Sequence, residues 1–207
     1  MTQSTLERRF VPATELRVEA SAPGGPRIAG YAALFDSDSE DLGGFVERIA
    51  PGAFGEAIKT SDIRSLFNHD ANFVLGRVRA DTLVVREDDK GLWMEVTPPD
   101  TSWARDLMVS IGRGDISQMS FAFRLAKGGD EWKYETDGNA IRTIRRVAEI
   151  ADVSPVTYPA YPDTSVAVRS REEWQTLREE WETLKMPAPA VPFHRLLRAH
   201  RQRSVGG

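Results

Sequence analysis

The sequence predicts a mainly β fold with flanking helices, of the α+β class. Three observations carry that expectation. Short runs of alternating apolar and polar residues recur between clusters of Gly, Pro, Asn and Asp, as strands joined by turns do. Helix signals are few in the body of the chain, so the regular strand–helix alternation of a doubly wound sheet is missing. With 207 residues, 41% apolar and 28% charged, the chain can bury one core without staples. The list suggests a barrel or sandwich decorated by helices.

The elements follow in order. Residues 1–14 are polar and read as a flexible N-terminal segment. ELRVEAS, from Glu15 to Ser21, alternates as a half-buried strand does, and SAPGGP turns the chain. RIAGYAALF, Arg27 to Phe35, is an apolar strand, and DSDSEDLGG is a polar loop. FVERI is a short strand; after Pro51-Gly52 a short helix is expected near Ala53 to Lys59. Ile63 to Phe67 and Val74 to Val78 read as strands around the polar tip Asn68-His69-Asp70. Thr82 to Glu87 and Leu92 to Thr97 flank Asp88-Asp89-Lys90-Gly91, a hairpin signal.

Pro98-Pro99-Asp100 breaks the sheet. Asp100, Thr101 or Ser102 can cap a helix running to about Ile111, ended by Gly112 or Gly114. Ile116 to Leu125 and Trp132 to Glu135 read as strands, and Ile141 to Val156 holds one or two more. The domain is expected to span residues 15–170. Residues 171–185, REEWQTLREEWETLK, form an amphipathic helix with Trp174, Leu177, Trp181 and Leu184 in one stripe. Residues 186–207 read as a Pro-rich linker and a basic tail.

Composition removes several chemistries. The chain has no cysteine, which excludes a disulfide framework, a thiolate metal site and a cysteine nucleophile, and fits a reducing compartment. A net charge of −4 gives no general pull toward nucleic acid or an anionic membrane. No apolar run approaches the ~20 residues of a membrane-spanning helix, and MTQSTLERRF lacks the apolar stretch of a secretory signal. A cytoplasmic protein is expected. Neither a metal nor a cofactor is expected: the body offers one histidine, and no glycine-rich phosphate loop stands between a strand and a helix.

Of three histidines, His194 and His200 lie in the tail. His69 sits where an apolar strand meets a polar tip, a place from which an imidazole can reach a groove as a general base. Without cysteine, its client is a serine or threonine. In DISQMSFAF, strand alternation puts Met119, Phe121 and Phe123 on a core face. Ser120 falls on the other face beside Gln118 and Ala122, while Ser117 shares the core side and is the weaker candidate. In EIADVSPV, Asp152 shares a face with Ile150 and Val156, with Glu149 opposite. A buried acid is costly unless paired, so Asp152 needs a partner.

The ordered set of segments resembles the prohead (capsid maturation) serine proteases of tailed phages, the HK97-type group. The matching pieces are GYAALFD, FVERIAPGAF, LFNHD with LGR, GLWMEVTPPDTSWARDL, GDISQMSFAF and ADVSPVTYPAYPDTSV, covering about residues 27–168. The resemblance implies a serine endopeptidase. It puts the histidine at His69, the serine at Ser120 and the acid at Asp152, where the family's usual residue is Glu; Glu149 stays a runner-up. It also implies an assemblin-like β-barrel ringed by helices. The implied substrates are the scaffold protein or the scaffold-like N-terminal arm of the major capsid protein, and often the protease itself. The implied location is the assembling procapsid in the host cytoplasm, where a homo-oligomer is compatible with the family. Arg142, Arg145 and Arg146 lie between the late motifs as candidate oxyanion donors. Two rivals stand beside this reading. One is a non-enzymatic scaffold-binding module of the same fold; the other is a metal-dependent hydrolase built on His69-Asp70, which chelation would silence.

Overall fold

The computed structural model describes residues 5–11, 15–22, 24–42, 45–134 and 140–158. The expected helix at 171–185, the linker and tail at 186–207, and His194 and His200 lie outside the described residues.

The strand-rich reading holds in most places. The strands are β1 (Leu6–Val11), β2 (Arg17–Glu19), β3 (Arg27–Leu34), β4 (Phe45–Ile49), β5 (Arg64–Phe67), β6 (Asp70–Arg77), β7 (Leu83–Glu87), β8 (Gly91–Val96), β9 (Gln118–Leu125), β10 (Asp130–Tyr134), β11 (Ala140–Ile144) and β12 (Val147–Val156). The helices are α1 (Gly55–Thr60) and α2 (Ser102–Arg113). In α2, Ala104, Leu107 and Ile111 are buried at helical spacing. Gly114, with φ +81°, ends that helix in the left-handed conformation a glycine adopts without strain.

Hydrogen bonding groups these strands into three open sheets, in the orders β1-β9-β12-β5-β6, β10-β11-β4 and β2-β3-β8-β7. Among the described residues no sheet closes on itself, so the expected closed barrel is replaced by packed sheets. One core joins them. Met119, Phe121 and Phe123 of β9 meet Phe54, Leu107, Ile111, Ile150 and Val153. Phe121 stands edge-on to Phe54 with ring centroids 5.5 Å apart and stacks on Phe123 at 5.0 Å. Among the described residues no helix is long and apolar enough to cross a membrane.

The N-terminal segment departs from expectation. Residues 6–11 form β1, an edge strand antiparallel to β9, with Phe10 opposite Ser120 and Leu6 opposite Arg124. Its charges looked like those of a solvated tail because their partners are remote in sequence. Arg9 donates to both carboxylate oxygens of Glu47, at 2.6 and 2.8 Å, and to Glu7 at 2.8 Å. Buried Arg142 of β11 donates to Glu7 at 2.9 Å, to Glu47 at 3.0 Å and to Asp130 at 2.8 Å. The network ties β1 to the sheet of β4 and β11.

Burial works to raise the Glu7 carboxyl, but Arg142 and then Arg9 overcome it, so Glu7 titrates below its ordinary value of 4.5. A lowered acid contributes stability above its unfolded value and loses it as pH falls through its folded one. Glu7→Gln should therefore cost about 2 kcal/mol at pH 7. Its deficit against wild type should shrink as pH drops below 4.5. Urea unfolding across that range checks both statements.

Candidate active site

His69 occupies a two-residue turn. Phe67 of β5 and Asp70 of β6 are paired, leaving Asn68 and His69 to reverse the chain. Both have positive φ, +55° and +56°. Consecutive left-handed residues make the primed turn that suits a β-hairpin; Asn and His are among the residues other than glycine that take up this conformation most often, at some cost in strain. The turn is docked on the end of β12. The Asn68 N–H donates to the Pro155 carbonyl at 3.0 Å, and the Thr157 N–H donates to Asn68 Oδ1 at 2.8 Å. These bonds hold a strained histidine over the sheet.

Ser120 lies on β9, directly opposite Ser154 of β12. As alternation predicts, its backbone neighbours Met119 and Phe121 are in the core and Ser120 faces the other way. His69 Nε2 is 2.7 Å from Ser120 Oγ, and His69 Nδ1 is 2.6 Å from Asp152 Oδ1. In a neutral ring that donates from Nδ1 to the carboxylate, Nε2 is left as an acceptor for the serine hydroxyl. The three residues come from β9, β12 and the β5–β6 turn, up to 83 positions apart.

Asp152 reaches this face through an irregularity. The pairing of β12 with β9 slips between Ile150 and Asp152: Ile150 opposes Phe123, while Asp152 opposes Ala122. The extra residue, Ala151, is a β-bulge that turns Ile150 into the core and Asp152 toward Ser120. The expected shared face of Ile150 and Asp152 is thereby corrected. Glu149, the runner-up acid, is on the surface and accepts from Arg124 at 3.1 Å. Arg64 of β5 is the parallel partner of Asp152 across the ladder.

Three further groups complete the site and were not assigned from the sequence. Ser154 Oγ donates to the same Asp152 oxygen that faces His69, anchoring the carboxylate. Asn68 fixes the turn. Both were legible in principle, Ser154 as the i+2 neighbour of Asp152 and Asn68 as the turn former before His69. The third is the Arg9 carbonyl, which accepts from Ser120 Oγ at 2.9 Å; only the fold brings it there.

The arginines weighed as oxyanion donors are engaged elsewhere. Arg142 is in the buried network, Arg145 pairs with Glu131, and Arg146 donates to the Lys127 carbonyl at 3.1 Å. Ser117 is exposed before β9 begins. Among the described residues no cluster of three or more His, Cys, Asp or Glu side chains could hold a metal ion. Ser120 itself is only 1% exposed, less open than the small neighbours on its strand suggested.

An acid, an imidazole and an alcohol in this order have the parts for nucleophilic acyl transfer: an attacking oxygen, a base beside it and a group that orients the base. The family model described as caudovirus prohead serine protease matches residues 14–179. No curated protein matches. Among solved structures, the bacteriophage T4 capsid assembly protease, gp21, aligns at 10% identity with a TM-score of 0.44, covering 72% of this chain and 98% of that one.

Proposed function

The chain belongs to the caudovirus prohead serine protease family, and on that premise we propose that it is a serine endopeptidase of capsid maturation whose triad is Ser120, His69 and Asp152. The observation that carries the reading is the unbroken run of contacts from Asp152 through both ring nitrogens of His69 to Ser120 Oγ, at 2.6 and 2.7 Å. In the reaction, Oγ attacks the peptide carbonyl carbon while His69 Nε2 takes the hydroxyl proton. The tetrahedral intermediate collapses as His69 returns that proton to the leaving amine, giving an acyl-enzyme. Water then attacks, again through His69, and frees Ser120. Asp152 holds the ring in the tautomer that keeps Nε2 bare and faces the positive charge when it forms.

The substrates that fit the family are the scaffold protein and the scaffold-like N-terminal arm of the major capsid protein, met inside the assembling procapsid in the host cytoplasm. Cleavage of the chain's own C-terminal stretch after Ser170 belongs to the same proposal. An arrangement of these open sheets like that of the assemblin proteases belongs to the same proposal. The rival, a non-enzymatic assembly module, draws on the burial of Ser120.

Co-expression with the major capsid protein and the scaffold protein of the same phage separates the two. Wild type should shorten the capsid or scaffold protein and trim its own C-terminus, both visible on a gel, while His69→Ala and Ser120→Ala leave all chains full length. Processing that persists in both variants would end the triad proposal. Self-trimming that persists in Ser120→Ala would end self-cleavage as its cause.

A further inference from the structure

We infer that the N-terminal strand β1 is an internal restraint on the nucleophile and that Arg9 is the positioning residue that applies it; the inference rests on the protease reading above. The first observation is the 2.9 Å contact from Ser120 Oγ to the Arg9 carbonyl oxygen. A serine hydroxyl has one proton to donate. Oγ is also 2.7 Å from His69 Nε2. With Nδ1–H directed at Asp152, a neutral His69 needs the serine proton at Nε2. The Arg9 carbonyl and the general base therefore compete for the same proton. Whenever the hydroxyl points to Arg9, His69 has nothing to abstract. A carbonyl oxygen against Oγ also opposes the negative charge that builds there during attack.

The second observation is access. Ser120 is 1% exposed. A substrate carbonyl carbon cannot approach Oγ unless a neighbour withdraws. His69 is needed for the reaction, so it is not the group to leave. β1 is the edge of its sheet, paired with β9 on one side only. An edge strand can open with the loss of a single ladder and, here, of the ion pairs that Glu7 and Arg9 make with Arg142 and Glu47, which is the kind of local opening folded proteins sample.

The third observation is the grip. Arg9 is clamped through both oxygens of Glu47, on a different sheet. The position of its carbonyl is thus set by an ion pair on the far side of β1. Arg8 supplies a built-in comparison: it is the adjacent residue of the same strand, exposed, and its side chain takes no part in the clamp.

The chain has no cysteine, so a tether can be introduced cleanly. Leu6 and Arg124 are direct partners across β1 and β9. Adjacent strands place such residues about 4.5–5.5 Å apart at Cα, within disulfide range. The full-length chain carrying Leu6→Cys and Arg124→Cys is treated with a fluorophosphonate probe of the active serine, oxidised and reduced. The oxidised form should label about tenfold more slowly than the same chain reduced, because the open state becomes rare. Arg9→Gln should label about tenfold faster than wild type, and Arg8→Gln should match wild type.

Labelling that is indifferent to the tether would overturn the restraint and leave the protease standing. So would slower labelling in Arg9→Gln with native near-ultraviolet dichroism, which would make β1 a supporting strand. If Arg9→Gln does not fold, the tethered chain alone decides. Labelling no greater than that of Ser120→Ala in every form would sink the protease reading, and the restraint with it.

Discussion

Replacing Ser120 with alanine should lower peptide hydrolysis by about a million-fold, and His69→Ala should cost nearly as much, with the double variant no worse than either alone. The expectation follows from the contact at 2.7 Å between Nε2 and Oγ. On the proposed triad, nucleophile and base share one proton, so removing either disables the same step. Loss of His69 leaves the Ser120 hydroxyl with the Arg9 carbonyl as its remaining neighbour at hydrogen-bond distance. That carbonyl can accept the proton's hydrogen bond but cannot remove the proton. The fold should survive both changes. Ser120 projects away from the core that Phe121 and Phe123 fill on the same strand, and His69 sits on a turn whose docking bonds come from Asn68 and Thr157. Rates on one purified substrate, with dichroism as the control for folding, decide the matter. A double variant showing the product of the two single losses would mean that the residues act independently, contrary to the triad.

The parts of this site that were legible in the sequence are those fixed by local rules. FVERI is β4 residue for residue because alternation and flanking turns bound it on both sides. Ser120 faces away from Met119 and Phe121 because a strand side chain must alternate. His69 stands at a hairpin tip because an apolar run ends in Asn-His-Asp. The misses come from interactions that single-strand periodicity does not encode. LERRFV reads as a tail until Glu47 and Arg142, distant in sequence, neutralise its Glu7 and Arg9. Ile150 and Asp152 share a parity, and only the bulge at Ala151 separates them. Whether strands close into a barrel depends on pairings between distant segments, which is why the closed form was expected and open sheets are found.

Asp152→Asn should reduce turnover by about ten-thousand-fold without a matching loss of stability. The carboxylate accepts from His69 Nδ1 at 2.6 Å and from Ser154 through the same oxygen. In an asparagine whose amide nitrogen takes the place of that shared oxygen, the N–H groups face the ring and the Ser154 hydroxyl turns to accept. A ring that accepts at Nδ1 carries its proton on Nε2, where it can no longer take one from Ser120. The neutral amide also withdraws the negative charge that faces the imidazolium during attack. Stability responds differently, because the side chain is only 8% exposed and an amide is less costly to bury than a carboxylate. Two companion variants sharpen the test. Glu149→Gln should leave turnover within about twofold, since it removes only an exposed pair with Arg124. Asp152→Glu keeps a carboxylate but adds a methylene to one already in contact with both donors. It should fall between wild type and Asp152→Asn, because charge and tautomer are kept while the spacing set by the Ala151 bulge is lost. An Asp152→Asn chain as active as wild type, or a Glu149→Gln chain as impaired as expected for Asp152→Asn, would move the third role away from Asp152.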